Sequence, residues 1–295
     1  MELTSNGYPL VNSPDQLGKL VPCVAQASIG ELREQLKAQG YIWLRNFFAR
    51  EAVIALRTRF FERMRPTGIL AENTEAVEGI FSGQRDQTGQ TTRLLMEFVR
   101  TAAYESFCFQ PRLWQFYERL LGGDVTLHKR KIVRQSYPLD PKSTDAHYDL
   151  IYLRGGTDSV LSSWIPLGDV PLEMGGLTYL EGSDAYGRQM EADYAARSSA
   201  LSSEERLSAY NKHMSATGGI GKDLSELVSR YNTRWLVADY EAGDMVIHTS
   251  TMIHAATQNN SHEGRMRLST DIRYQRIRDE IDARWQHHWA LDDML

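Results

Sequence analysis

The sequence predicts a mainly β protein, a sandwich or barrel core with flanking helices. Three observations carry that reading. After Asp124, short segments rich in β-branched and aromatic residues recur: 125–138, 146–153, 159–167, 176–183, 234–240, 244–250, 252–258 and 265–275. Turn residues punctuate them, among them Gly155-Gly156, Gly168-Asp169, Gly175-Gly176 and Gly243-Asp244. Before Asp124 the patterns are mostly helical, and no linker divides the two regions, so the helices are expected to cover one face of the sheet.

Taken in order, residues 1–27 contain Pro9, Pro14 and Pro22 and read as an irregular lead-in. Ser28 and Glu31 have the spacing of a capping box, and Gly40 closes the helix they start. YIWLRNFF (41–48) reads as a strand. EAVIALRTRFFERM (51–64) reads as an amphipathic helix stopped by Pro66, with the basic run from Arg57 to Arg65 on its charged face. LWQFYERLLGG (113–123) is a further helix. Within the β region, 185–230 is polar and helical in pattern, including SSEERLSAYNKHM (202–214) and KDLSELVSRY (222–231). The segment 276–295 is a helix or tail containing two tryptophans. One domain over 1–295 is therefore expected: a helical N-terminal region (28–123), a β core (124–275) with a helical insertion (185–230), and the C-terminal segment.

The chain has 295 residues, 42% hydrophobic and 24% charged, with a net charge of −5, which fits a globular protein and gives no reason to expect a nucleic-acid or membrane-surface partner. Two isolated cysteines, Cys23 and Cys108, form neither a disulfide framework nor a metal motif. The N-terminus lacks a basic stretch followed by an apolar run, and no segment approaches the roughly 20 apolar residues of a spanning helix, so a cytoplasmic location is expected.

The chemistry centres on three residues. His147 and Asp149 stand two apart in an apolar segment expected to be a strand, where side chains i and i+2 share a face. An HxD tripeptide arises often by chance and by itself identifies nothing. His254, late in the β region, completes two imidazoles and one carboxylate, the set that leaves three positions open on Fe(II). Zinc hydrolases also use two His and a carboxylate, so the triad leaves the metal open. Arg265 follows His254 by eleven residues and offers a guanidinium fork for a carboxylate, with Arg267 and Arg273 as competitors that parity does not separate.

HYDLIYL (147–153), WIPLGDVPLEMGGLTYLEGSD (164–184), GDMVIH (243–248) and MIHAATQNNSHEGRMRLSTDIRY (252–274) together resemble the phytanoyl-CoA dioxygenase-type 2-oxoglutarate oxygenases. The resemblance covers most of 124–275 and implies a double-stranded β-helix core, jelly-roll and cupin-like. It implies Fe(II) held by His147, Asp149 and His254, and 2-oxoglutarate anchored at its distal carboxylate by Arg265. Thr178 matches a position that helps hold the cosubstrate, and Trp164 a tryptophan near the site. His248 matches a histidine that is not a ligand. One first-strand residue among Lys129, Lys131 and Arg134 is expected to touch the cosubstrate. The family's GSH is GSD here, Gly182 to Asp184.

These resemblances imply an enzyme that couples oxidative decarboxylation of 2-oxoglutarate to oxidation of a small-molecule metabolite or natural-product intermediate by dioxygen. Asp149 favours hydroxylation over halogenation, because related halogenases place a small residue there, and it leaves desaturation, ring formation, epoxidation and endoperoxide chemistry open. The competing reading is a cupin-like zinc or manganese hydrolase or isomerase using the same triad. The tryptophan-containing tail can cap the site or pair two copies into a homodimer.

Overall fold

The computed structural model describes residues 3–198, 200–202, 205 and 219–290. Its core is two facing β-sheets. The larger runs in the order β4 (Tyr41–Leu44), β10 (Met245–Thr249), β7 (Leu161–Pro166), β12 (Arg267–Arg276) and β5 (Val125–Leu127), with β6 (Ile132–Ser136) also paired to β12. The smaller runs β11 (His254–Ala256), β8 (Leu177–Leu180), β9 (Trp235–Val237) and β3 (Leu17–Lys19). This is the jelly-roll core that the sequence predicts.

The larger sheet is buried on both faces, and polarity rather than exposure separates them. On β12, Leu268, Thr270, Ile272 and Tyr274 alternate with Arg267, Ser269, Asp271 and Arg273, all of them buried. The first set packs with Ile165 of β7 and Ile247 of β10 against the N-terminal helices. Those helices are α1 (Ile29–Gln39), α2 (Arg50–Met64), α3 (Gln90–Phe98), α4 (Ala102–Cys108) and α5 (Pro111–Leu121). Polar groups on the outer face find partners there. Tyr117 and Ser163 share a hydroxyl hydrogen bond, and Tyr274 donates to the Cys108 carbonyl at 2.8 Å. The second set faces the smaller sheet, and the site lies on that side.

Several expectations are met. Ser28 and Glu31 form a reciprocal capping box on α1, and Gly40 ends the helix at φ 79°. Others change. The lead-in carries a hairpin of β1 (Leu3–Ser5) and β2 (Tyr8–Leu10), and β3 pairs in parallel with β9. The expected strand at 125–138 is split into β5 and β6. HYDLIYL is not a strand: His147 makes a single bridge to His254, and Asp149, at φ −65° and ψ −29°, turns the chain into the short helix α6 (Leu150–Leu153). The insertion supplies α7 (Asp184–Ser198) and α8 (Leu224–Tyr231), whereas most of SSEERLSAYNKHM lies outside the described residues. The described part of the C-terminal segment is a strap with one 3-10 turn at Ala283–Gln286.

Arg57 departs most from its expectation. It is not on a solvated face but 6% exposed, and its guanidinium donates to the carbonyls of Val77, Leu167, Glu78 and Met266. It thereby ties α2 to the end of β7 and the start of β12. Burial pushes its pKa down to about 10, which leaves it charged at neutral pH. Removing it strands several buried acceptors, each costing about 1–3 kcal/mol. Arg57→Ala is therefore expected to lower stability in urea by at least about 3 kcal/mol. Arg59→Ala, on the exposed side of α2, should stay within about 0.5 kcal/mol of the parent.

Candidate metal centre

His254 is on β11, beside the bridge that places His147. Both rings are buried and fixed in the same way. His147 Nδ1–H donates to the Asp145 carbonyl at 2.8 Å, and His254 Nδ1–H to the Met252 carbonyl at 2.9 Å. In each ring this leaves Nε2 as the free lone pair, the arrangement usual for metal-binding imidazoles. Asp149 Oδ1 lies 3.9 Å from both Nε2 atoms. The donor atoms of the three residues lie within 4.8 Å of one another.

Asp149 is fully enclosed and held by three neighbours. Arg273 Nη2 donates to Oδ1 at 2.9 Å. Ser162 donates its hydroxyl to Oδ2, and His248 Nε2 lies 3.4 Å from the same oxygen. Tyr179 approaches His248 Nδ1 at 2.8 Å, an arrangement that suits Nε2–H donating to Asp149 and Nδ1 accepting from the tyrosine. Burial by itself would raise the Asp149 pKa. The Arg273 charge, with His248 and His254, outweighs it and holds the carboxyl well below the usual range. Burial, together with the neighbouring His147 and His248, holds His254 well below the ordinary imidazole value; burial also lowers His147. One ionised carboxylate and two neutral imidazoles are the protonation states that ligation requires.

The cavity beside the triad is lined by residues of both sheets. Arg134, Trp164, Leu177, Arg267 and Arg273 are among them. Arg134 is ion-paired with Asp271. Arg267 is 5% exposed and donates from Nη1 to the Gly175 carbonyl, while its Nε has no partner. Burial lowers its pKa to about 10, so it too is a cation at neutral pH. Gly175 sits at φ 66°, and a Cβ there would lie 2.2 Å from the Gln258 carbonyl oxygen, so glycine is what permits this backbone to approach.

Two residues named from the sequence lie elsewhere. Arg265 precedes β12: Asn259 Nδ2 donates to its carbonyl, its amide donates to Ser261, and its guanidinium turns outward to Glu263 at 2.7 Å. Its side chain is 51% exposed, and the buried guanidinium in the cavity is that of Arg267, two residues on. Thr178 pairs with Ala255 and lies one step out of phase with Leu177, which lines the cavity, and its hydroxyl donates to the Leu236 carbonyl. Trp164 does line the cavity. On the first strands, Lys129 is exposed and Lys131 pairs with Glu105, which leaves Arg134 as the residue that reaches the site. The sequence reading passed over Ser162 and left Arg273 undecided. The run of polar residues at every second position of β12 is the signal that marks its inward face.

The phytanoyl-CoA dioxygenase (PhyH) family model matches residues 36–267. The chain belongs to that family. A search of curated proteins gave no match. Among solved structures, the epimerase SnoN from nogalamycin biosynthesis, in complex with Fe3+, alpha ketoglutarate and nogalamycin RO, is 16% identical, with a TM-score of 0.54 over 84% of this chain and 83% of that one. The carbocyclase SnoK from nogalamycin biosynthesis is 18% identical, with a TM-score of 0.53 over 89% of each chain. EctD from S. alaskensis with bound Fe is 14% identical, with a TM-score of 0.54 over 95% of this chain and 85% of that one. At these identities the likeness is one of fold.

Family membership and the buried triad make this protein a 2-oxoglutarate-dependent non-haem iron oxygenase. The donor set fits the metal: two neutral imidazoles and one carboxylate converge, with their rear atoms already bonded. The cavity also fits an anionic cosubstrate, because a buried guanidinium nitrogen of Arg267 lacks an acceptor. His254→Ala and Asp149→Ala should each weaken Fe(II) binding by at least about tenfold in an anaerobic equilibrium titration. Thr178→Val, on the far face of β8, should leave the affinity within about twofold.

Proposed function

We propose that this protein hydroxylates an unactivated C–H bond of a small-molecule metabolite or natural-product intermediate, with His147, Asp149 and His254 as the iron ligands. The observation that carries the reading is a carboxylate kept in the triad and held by Arg273 at 2.9 Å, so that the third protein ligand is supplied and anchored. Iron and 2-oxoglutarate, when bound, supply the oxidising power from dioxygen. The chain's own residues do the rest. His147 and His254 present Nε2, with their tautomers set by backbone carbonyls. Asp149 presents Oδ1, while Ser162 and His248 hold the other oxygen in place. Trp164 and Leu177 give the cavity apolar walls that restrict water.

Arg267 is the residue that would anchor the distal carboxylate of 2-oxoglutarate. Its guanidinium is buried, charged, steadied by the Gly175 carbonyl and still has an unpartnered nitrogen. A buried array of arginines suits a dicarboxylate and has no evident use in a zinc or manganese hydrolase. A charge-assisted bidentate contact contributes about 1.5–3 kcal/mol. Arg267→Ala should therefore raise the KM for 2-oxoglutarate by roughly 10–100-fold, while Arg265→Ala should change it by less than about twofold.

The hydroxylase reading is tested in two stages. Anaerobic addition of Fe(II) and then 2-oxoglutarate should produce a visible charge-transfer band. In air, with a metabolite library, succinate release should rise with a compound that gains one oxygen atom. Absence of the band, or a stimulating compound converted without gain of oxygen, would count against hydroxylation.

A further inference from the structure

The inner face of β12 carries more positive charge than iron and 2-oxoglutarate can use. Arg134 is neutralised by Asp271. Fe(II) with Asp149 leaves one positive charge, 2-oxoglutarate brings two negative ones, and Arg267 and Arg273 bring two positive. With both histidines neutral, the filled site keeps one positive charge. A buried excess charge is costly, which favours a monoanion as the further occupant of the site.

Arg273 is where that charge resides. It is 3% exposed, lines the cavity and gives Asp149 one hydrogen bond from Nη2, while Nε and Nη1 contact no acceptor. Few buried donors in a folded protein stay unsatisfied. The indole of Trp285 covers its face, with the guanidinium carbon 4.6 Å from the ring centroid. Stacking consumes the face of a guanidinium and leaves its edges for hydrogen bonding. Trp285 is fixed in turn: its Nε1 donates to the Tyr152 carbonyl at 2.9 Å, and its own carbonyl accepts from the Arg130 amide at 3.2 Å. The strap therefore holds Arg273 with donors free at its edge, beside the carboxylate of the triad.

We propose that Arg273 is a substrate-binding residue and that the substrate of this oxygenase carries a carboxylate, which it presents to one of the two unfilled edges of Arg273, at Nε or at Nη1. The inference rests on the oxygenase reading and names the substrate class of the same site. The carboxylate places a substrate carbon near the metal, so that one group sets both affinity and the position attacked. Trp164 and Leu177 form the apolar walls against which the remainder of the molecule lies.

The test uses the protein loaded anaerobically with Fe(II) and 2-oxoglutarate, with the visible band reporting an assembled site. Hexanoate, benzoate and phenylacetate, each against its primary amide, are titrated while the band and tryptophan fluorescence are followed. At least one acid should perturb the signals with an affinity at least about tenfold above that of its amide, the size of one charge-assisted hydrogen-bond pair. Arg273→Lys keeps the charge but replaces the planar fork with a point charge. It should keep the band and weaken the preference for the acid. Arg273→Gln removes the charge, leaves an amide donor for Asp149 and should abolish the preference.

Three results would overturn the proposal: no acid is preferred over its amide in the parent protein, the preference survives in Arg273→Gln, or Arg273→Lys instead loses 2-oxoglutarate affinity by tenfold or more. The last would assign Arg273 to the cosubstrate. A band present without acid preference leaves the oxygenase standing and removes only this proposal, whereas absence of the band removes both.

Discussion

The buried ion pair between Asp149 and Arg273 is the constraint on which the site depends. Both side chains are almost fully enclosed, and either one left alone would carry an effective penalty of several kcal/mol, about 3–5 when a buried pair is broken. Their pairing joins the start of α6 to the middle of β12. It also explains why Asp149 can leave the sheet and still present its oxygen to two histidines. Ser162, His248 and Tyr179 extend the network across β7, β10 and β8, and Tyr41 of β4 stacks on Tyr179 with ring centroids 5.2 Å apart. A change at the carboxylate is thus felt across both sheets.

So polar an inner face needs support from the outer one. Arg267, Ser269, Asp271 and Arg273 occupy alternate positions of one strand, and such a strand would not bury itself. Its other face supplies the driving force, through Leu268, Ile272 and Tyr274 packed on the helical layer. Tyr117 stacks on Tyr274 with centroids 4.0 Å apart, and Arg57 fastens α2 to the strand's entrance. The N-terminal helices therefore hold the larger sheet in place behind the site although none of them supplies a triad residue.

The sequence was most legible where a local rule decides. The capping box at Ser28, the helical period of 51–64 and the punctuated strands after Asp124 each depend on near neighbours. The triad was legible because its residue types are poor core fillers, and the family motifs joined them. Strand parity brings His147 and Asp149 together on one face, although the backbone achieves this with a turn into α6. Arg265 and Arg267 share a parity, so alternation could not choose between them. The choice is made by the Asn259–Ser261 turn, which holds the Arg265 backbone before the ladder begins. Thr178 was misplaced because a strand's inward phase is fixed by its partner, here through Tyr179 opposite His254. The Trp285 contact joins residues distant in sequence and left no local trace.

The most direct test of the account is an anaerobic crystal structure with Fe(II) and 2-oxoglutarate. The account predicts iron bonded to His147 Nε2, Asp149 Oδ1 and His254 Nε2, with the distal carboxylate on Arg267 and the Asp149–Arg273 pair intact. Iron on other residues, or a distal carboxylate held by Arg265 after the loop has turned inward, would contradict it.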